Sequence, residues 1–210
     1  MLTSGQIVLR ITIPFGLGYF LSYVFRTVNA VIAPQLIGEL QLNSASLGLL
    51  TSAYFLSFAF FQLPLGVLLD RYGPRRVEAA LLVVAAAGAL VFALAESLAG
   101  LVVGRALIGL GVSACLMAAF KAFVLWYPAD RLPLINGVQM AAGGLGALCA
   151  TLPVQAALQL LDWRQLFLLL GLATLAVAAL LYRLVPKTPP AGAPAPLAAQ
   201  LRGLGQIFTH

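Results

Sequence analysis

Charged side chains are scarce in this chain of 210 residues. Charged residues make up 9% of it, hydrophobic residues make up 62%, and the mean hydropathy is +1.02. Because a soluble domain carries charge on about a quarter of its residues, this scarcity excludes an ordinary water-soluble fold. The two cysteines lie inside apolar runs and the single histidine stands alone, which is not the pattern of a disulfide framework or a metal centre. We therefore expect no metal and no cofactor.

Long apolar runs fill most of the sequence. Each extends over roughly 20 residues, the length that an α-helix needs to cross the hydrocarbon core of a bilayer. We place helices at Ile11–Pro34, Leu47–Leu69, Val77–Leu94, Leu98–Trp126, Leu134–Leu158 and Gln165–Val185. The runs therefore predict an all-α integral membrane protein, with a bundle of six helices in residues 1–185.

Positive charge is concentrated on one side of the predicted bundle. Among the twelve basic residues, those in loops or ends on the side of the amino terminus are Arg10, Arg71, Arg75, Arg76, Arg131, Arg183, Lys187 and Arg202. Only Arg164 falls in a loop on the other side. Since cytoplasmic loops collect Lys and Arg, we expect both termini of the chain in the cytoplasm, and the Arg-, Ala- and Leu-rich composition indicates a bacterial inner membrane. The net charge of +6 then reflects these loops, and nucleic-acid binding is not expected.

The composition changes after residue 185. Residues 186–196 contain five prolines in eleven residues, which is typical of an extended linker rather than a helix. The apolar stripe of an amphipathic helix follows at Leu197, Leu201, Leu204 and Phe208. Such a helix can lie on the membrane surface. Residues 186–210 are therefore predicted to be a cytoplasmic linker with one amphipathic helix.

A short basic loop joins the second and third predicted helices. Residues 66–76 read GVLLDRYGPRR. The order G-x-x-x-D-R-x-G-x-R-R and its position resemble the signature loop of the major facilitator superfamily. The resemblance implies the amino-terminal half of a twelve-helix transporter fold, in which a half is an inverted repeat of three plus three helices. It also implies a gate made of Gly66, Asp70, Arg71, Gly73, Arg75, Arg76 and, in the next loop on that side, Asp130.

The resemblance also implies how the gate works. Gly66 would permit close helix contact, and Asp70 would face the positive end of a helix in the other half. The loop arginines are expected to pair with Asp70, Asp130 or anionic lipid. We expect the chain to be part of a longer protein whose second six-helix half is missing here. A natural half-size carrier that pairs with a second copy of itself is the alternative.

The first predicted helix carries a polar face. At 100° per residue, an arc of about 120° holds Tyr19, Tyr23, Arg26 and Asn29. Arg26 lies near mid-span, where a charged side chain is costly unless it reaches water or an anion, and such residues mark substrate paths. Its guanidinium group matches the geometry of a carboxylate or a phosphate. The alternative is a structural arginine that is paired within the bundle.

The order of this face, G-Y-x-x-x-Y-x-x-R-x-x-N over residues 18–29, resembles the first helix of organophosphate:phosphate antiporters. Related organic-anion symporters carry R-x-N or a close variant. The resemblance implies that Arg26 binds the substrate anion, while Tyr23 and Asn29 shape its site.

Other polar residues lie inside the later predicted helices. Residues 105–111 read RALIGLG, which is similar to the R-x-x-x-G-x-G motif of the superfamily and implies a role for Arg105 in substrate binding or proton coupling. A structural arginine in a packing motif is the alternative. Gln62 and Gln139 are candidate substrate contacts, although interhelical hydrogen bonds explain them equally well. Lys121 points to another side of its helix than Arg105 and is expected to reach the lipid headgroups.

Acidic side chains are absent from the middle of every predicted helix. All six are expected in loops or at helix ends, at Glu39, Asp70, Glu78, Glu96, Asp130 and Asp162. With cations but no carboxylates inside, the expected cavity is electropositive and favours an anionic substrate. Any carboxylate that carries a proton is then expected in the missing half.

These observations predict a secondary transporter that moves a small organic anion or a phosphate ester by alternating access. Its expected partners are that substrate, the lipid bilayer, and the missing half or a second copy. A membrane sensor or assembly subunit with the same fold, but without transport, is the alternative. An enzyme is not expected, because the sequence has no intramembrane Ser/His or Asp pair, no histidine cluster and no nucleotide-binding loop.

Overall fold

Six long helices make up the described part of the chain. The computed structural model describes residues 3–187, so the amphipathic helix predicted at residues 197–208 lies outside the described residues. Helices α1 to α6 run over Gly5–Leu40, Ser44–Tyr72, Pro74–Ala93, Leu98–Trp126, Ala129–Ala157 and Trp163–Leu184. Each is long and apolar enough to cross a membrane. The predicted all-α bundle of six membrane helices is therefore confirmed.

Helix α1 is longer at both ends than the sequence indicated. Near its start it contains a π-helical segment, Val8–Thr12. Pro34 does not end the helix, since a membrane helix tolerates an internal proline. The helix stops where Gln41 takes a left-handed backbone conformation, with a φ of 53°. The added turns place Glu39 at the far end of the bundle, within reach of α6.

Helices α4 and α5 are each interrupted by a short turn. In α4 the turn at residues 113–114 leaves the Ser113 carbonyl oxygen to accept a hydrogen bond from Gln62 of α2, at 3.0 Å. In α5 the turn lies at residues 150–151, directly before a helical segment that contains Pro153. Because proline lacks the N–H group that a continuous helix needs, the interruption follows from the sequence.

Close backbone contacts hold α3 against α4. A Cβ atom on Gly88 of α3 would lie 2.7 Å from the Ile108 nitrogen of α4, and one on Gly104 of α4 would lie 2.8 Å from the Phe92 backbone of α3. The two backbones can approach this closely only because these positions carry no side chain. Helix α3 also packs against α6, and α1 packs against α5 and α6.

Helices α2 and α5 keep apolar faces uncovered. The most apolar stretches of α3 and α4 are each 61% buried, whereas those of α2 and α5 are 17% and 28% buried. Large exposed side chains on these faces are Leu56, Phe60 and Leu63 of α2, and Leu134, Leu145 and Leu148 of α5. The two helices therefore present the surfaces that can contact lipid or a second bundle.

We expect Gly88→Ala to destabilise the bundle by about 1–3 kcal/mol, because the added methyl group overlaps the backbone of α4. Gly48→Ala is the matched control, since a Cβ atom on Gly48 of α2 would meet no atom within 4 Å. Thermal unfolding of the detergent-purified protein, followed by size-exclusion chromatography, measures the difference. Equal midpoints for the two variants would contradict the close contact between α3 and α4.

Candidate functional site

The polar face predicted for α1 is present and lies toward α2 and α5. Tyr19 and Tyr23 pack edge to face, with ring centroids 5.0 Å apart and hydroxyl oxygens 3.4 Å apart. Further along the helix, the Asn29 amide donates to Thr51 Oγ1 of α2 at 3.4 Å, and Asn29 Oδ1 is buried without a hydrogen-bond partner. Arg26 lies between these two groups, so the face brings a cation, an amide and two phenols together.

Aromatic rings surround the guanidinium group of Arg26. Its Cζ atom lies 4.7 Å from the ring centroid of Tyr23, 5.4 Å from that of Phe58 and 5.7 Å from that of Phe55. We call these three rings the aromatic cage. Aromatic faces attract a cation without neutralising it, so the cage positions Arg26 and leaves its charge available.

No acidic side chain among residues 3–187 pairs with Arg26. The ion pairs in this range are Lys121 with Asp70 and Arg164 with Glu39. The Nε atom of Arg26 is buried and has no hydrogen-bond partner. The side chain as a whole is half-buried, so the Nε atom is the part that is withdrawn from water without a hydrogen bond. Binding of an anion by Arg26 stays a prediction.

Two members of the cage are absent from the sequence-based set of site residues. Phe55 and Phe58 are three residues apart on α2, so both reach one side of that helix. Aromatic residues in an apolar membrane span carry no polar signal of their own. They could be recognised only by knowing that this side of α2 faces Arg26, which depends on how α1 and α2 pack.

Arg105 has different surroundings from Arg26. It is 1% exposed, and its Nη1 atom donates to the Phe25 carbonyl oxygen of α1 at 2.9 Å. Its guanidinium group also lies 4.8 Å from the ring centroid of Tyr54 on α2. These contacts connect α4 to α1 and α2 and match the structural alternative. A direct contact between Arg105 and a substrate stays a prediction.

The two glutamines of the predicted set form hydrogen bonds between helices. Gln62 donates to the α4 turn, as described above. Gln139 of α5 is fully buried, and its Nε2 atom donates to the Phe15 carbonyl oxygen of α1 at 3.2 Å. Only Oε1 of Gln139 has no partner. Both side chains thus have structural contacts, and their role as substrate ligands stays a prediction.

The basic loop between α2 and α3 is a tight turn at Gly73. Gly73 has a φ of 77°, a left-handed value that favours glycine, and its N–H group bonds to the Leu69 carbonyl oxygen at 3.1 Å. Pro74 then opens α3, where its missing N–H group is not needed. The turn directs Arg75 to α6, where its Nε atom donates to the Tyr182 carbonyl oxygen at 2.9 Å.

Asp70 pairs with Lys121 of α4 and not with the loop arginines. Within the described residues the loop arginines therefore pair with neither Asp70 nor Asp130, and their pairing with anionic lipid stays a prediction. The physical reason is the turn, which carries Arg75 toward α6, while Arg71 is exposed and lies over the ring of Tyr72. The ammonium group of Lys121 binds Asp70, and its contact with the lipid headgroups stays a prediction.

A cavity of about 390 Å³ lies beside this ion pair, lined in part by Gly66 and Gln62. A Cβ atom on Gly66 would meet no atom within 4 Å, so Gly66 makes no close helix contact with the residues that the structure describes. Arg76 and Asp130 are exposed. The role of this loop as a gate stays a prediction.

Glu78 lies near a helix end, as expected, but its burial there was not predicted. It is near the start of α3, yet it is 0% exposed. Its carboxyl group occupies the space left by Gly18 of α1, and the Cys115 thiol of α4 lies beside it. In the structure α3 packs against α4 and α6, and the Glu78 side chain reaches α1 at Gly18.

A polar cluster closes the opposite end of the bundle. Glu39 of α1 accepts hydrogen bonds from Trp163 Nε1 at 2.6 Å and from Arg164 Nη2 at 2.8 Å. Arg164 Nη1 also donates to the carbonyl oxygens of Ala93 and Ala95, at 2.8 and 2.7 Å. These bonds join the ends of α1, α3 and α6, so the three helices are fixed to one another there.

A comparison with models of protein families shows which family the chain belongs to. The sequence profile of the Major Facilitator Superfamily matches residues 15–210. The chain belongs to this superfamily. The matched range includes the polar face of α1, the basic loop and all later helices, so the predicted family is confirmed.

Curated members of the superfamily are similar to most of the chain. A probable sulfoacetate transporter from Cupriavidus necator is 29% identical over 157 residues, which are 75% of this chain and 36% of that protein. A hexuronate transporter from Escherichia coli is 30% identical over 155 residues, which are 74% of this chain and 36% of that protein. The chain thus spans about a third of the length of these relatives. Because the family and both relatives are transporters, the prediction that the chain is not an enzyme is confirmed.

A solved structure from the superfamily shares the fold. The crystal structure of a bacterial homolog of the human lysosomal transporter Spinster matches with a TM-score of 0.79 and 19% identity. The match covers 98% of this chain and 50% of that chain. At this identity the likeness shows the fold alone. The six-helix bundle is therefore half of a major facilitator fold, as predicted.

We expect Arg105→Ala to lower the free energy of unfolding by about 2–5 kcal/mol, because it empties a buried site and removes a hydrogen bond between α4 and α1. Arg183→Ala is the matched control, since Arg183 is exposed near the end of α6. The thermal midpoint of each purified variant is the measurement. If both variants unfold at the wild-type temperature, Arg105 has no structural role.

Proposed function

We propose that the complete protein is a secondary transporter of small organic anions and that Arg26 binds the carboxylate of the substrate. One observation carries the proposal: Arg26 lies in an aromatic cage without an acidic partner among the described residues. A cation inside a membrane bundle needs water or an anion to complete its surroundings. An anionic substrate supplies both the charge and the hydrogen-bond acceptors.

The surroundings of Arg26 favour a carboxylate group. The guanidinium fork presents parallel N–H donors that match two carboxylate oxygens. The cage rings keep water from part of this group, so the attraction between the charges is stronger than at a protein surface. The Tyr23 hydroxyl group and the unpartnered Asn29 Oδ1 atom lie on the same face of α1. They supply polar contacts for the rest of the substrate.

The names of the two relatives support this chemistry. Sulfoacetate and the hexuronates are small organic anions, and both carry a carboxylate group. The sequence identities of 29% and 30% are too low to transfer a particular substrate. A phosphate ester is the other anion class that a guanidinium group fits, and the assay below distinguishes the two classes.

Alternating access requires a second helical bundle. The uncovered apolar faces of α2 and α5 are a surface on which a second bundle can pack. The chain also spans only about a third of the length of its relatives. We propose that a second half, or a second copy of this chain, packs there, with the substrate bound between the two bundles. The basic loop and both ends of the chain then lie on the cytoplasmic side of a bacterial inner membrane, and residues 186–210 form the linker.

We expect Arg26→Gln to abolish uptake of D-glucuronate and sulfoacetate by the complete protein in liposomes. Glutamine keeps hydrogen-bonding capacity but removes the charge, and the loss of one partner of a buried charge pair weakens binding by about 2–5 kcal/mol. Arg183→Gln is the matched control and retains uptake, because Arg183 is exposed. Radiolabel uptake is the measurement, with D-glucose as a neutral comparison and glycerol 3-phosphate as a phosphate ester.

Each other outcome of this assay has a distinct meaning. Wild-type uptake by Arg26→Gln would contradict the proposal. Binding of D-glucuronate to the wild-type protein without uptake would identify a sensor or assembly subunit instead of a transporter. Preference for glycerol 3-phosphate would keep Arg26 as the anion ligand and change the substrate class to phosphate esters.

A further inference from the structure

Gly143 of α5 packs directly against two side chains on the polar face of α1. A Cβ atom on Gly143 would lie 2.5 Å from Cε1 of Tyr19 and 2.9 Å from Cδ2 of Tyr23. A side chain therefore fits at this position only if the two rings move. A Cβ atom on Gly146, one turn further along α5, would instead meet the backbone of Phe20. Gly143 thus differs from a glycine that only lets two backbones approach, because it borders the side chains of the candidate site.

The two tyrosine rings connect Gly143 to the aromatic cage. Tyr19 is 5% exposed, and its hydroxyl group donates to the Met140 sulfur atom of α5 at 3.9 Å. Because the rings of Tyr19 and Tyr23 pack edge to face, a displacement of one ring displaces the other. Tyr23 is in turn the cage ring nearest to the guanidinium group of Arg26, at 4.7 Å. A change at residue 143 is thus transmitted to the cage through two side chains.

The tyrosine rings, and not the helix backbones, require a glycine at residue 143. The α1–α5 contact accepts a methyl group one residue away, because the Cβ atom of Ala142 would lie 3.8 Å from a Cβ atom on Gly16. That is an ordinary van der Waals distance. Glycine is unfavourable inside a helix, so its presence here is explained by the rings of Tyr19 and Tyr23 that occupy the space.

The space beside Arg26 depends on α5, although α5 contributes no ring to the cage. The cage combines Tyr23 of α1 with Phe55 and Phe58 of α2. A Cβ atom at residue 143 would overlap the tyrosine rings from the α5 side, so the rings can yield only away from α5. Tyr23 then moves relative to the guanidinium group and to the two α2 rings, and the space between them changes.

We propose that Gly143 is a specificity-determining residue that acts through Tyr19 and Tyr23 and keeps the cage open for a carboxylate with a bulky group attached, an inference that rests on the proposed function. With glycine at residue 143, Tyr23 packs back against α5 and leaves room beside Arg26 for the body of the anion. With a larger residue, the rings occupy this room, and the site accepts a slender carboxylate but excludes a bulky one. Gly143 is therefore a positioning residue that does not contact the anion.

The test measures KM and Vmax of uptake by the complete protein in liposomes, for the bulky anion D-glucuronate and the slender anion sulfoacetate. Gly144→Ala is the matched control for Gly143→Ala, because a Cβ atom on Gly144 would meet no atom within 4 Å. We expect Gly143→Ala to raise the KM for D-glucuronate about tenfold, as a misfit of one methylene group does in a pocket, and to leave the KM for sulfoacetate within about twofold. Gly144→Ala retains both KM values. Equal KM changes for the two anions, or a loss of Vmax with unchanged KM, overturn the inference, since a merely structural fault reduces only the amount of folded protein.

A second variant decides if Gly143→Ala does not fold. Tyr19→Ala removes the ring that lies closest to residue 143, so the double variant Tyr19→Ala/Gly143→Ala has room for the added methyl group. Because the two changes share one contact, we expect their effects to be non-additive. The double variant should then have a KM for D-glucuronate within about twofold of that of Tyr19→Ala. A tenfold difference between these two variants overturns the inference.

Fluorine NMR of the protein labelled with 3-fluorotyrosine separates failure of this inference from failure of the proposed function. The Tyr23 signal is assigned by its loss in Tyr23→Phe. We expect this signal to shift in Gly143→Ala and to stay in place in Gly144→Ala, whichever anion is transported. An unshifted signal in Gly143→Ala overturns the inference. A shifted signal without uptake of either anion by the wild-type protein overturns the proposed function, and with it the role in specificity, but not the packing of the rings against Gly143.

Discussion

The proposed function depends on one guanidinium group, that of Arg26, which no acidic side chain of the described residues neutralises. Lys121 and Arg164 pair with acidic side chains near opposite ends of the bundle, whereas Arg26 has aromatic rings around it and no acid beside it. The aromatic rings attract the cation, but they do not neutralise its charge. An anion is the partner that Arg26 lacks among the described residues, which is why the proposed function assigns the substrate to this position.

The other helices form a rigid support for this site. Close contacts at Gly88 and Gly104 join α3 to α4, Arg105 joins α4 to α1, and the cluster around Glu39 joins α1 to α6. Helices α2 and α5 differ, because their apolar faces are uncovered. The bundle thus has a tightly packed side and an open side, and Arg26 lies where α1 meets the open helix α2. The second bundle proposed above would pack on that side.

The sequence predicted features that depend on local composition and spacing. Six helices follow from run length and hydropathy, and the face with Arg26 follows from the helical period. Features set by packing were missed or wrong. Phe55 and Phe58 have no polar signal, and Asp70 binds Lys121 rather than an arginine because the turn at Gly73 redirects Arg75. Glu78 is buried because its side chain lies between Gly18 of α1 and Cys115 of α4, which no local pattern reveals.

The most direct measurement is a structure of the complete protein with D-glucuronate bound. We predict that both carboxylate oxygens lie about 2.7–2.9 Å from guanidinium nitrogens of Arg26, inside the aromatic cage. A carboxylate bound elsewhere would contradict this prediction. So would an acidic side chain from outside residues 3–187 that pairs with Arg26 while D-glucuronate is bound.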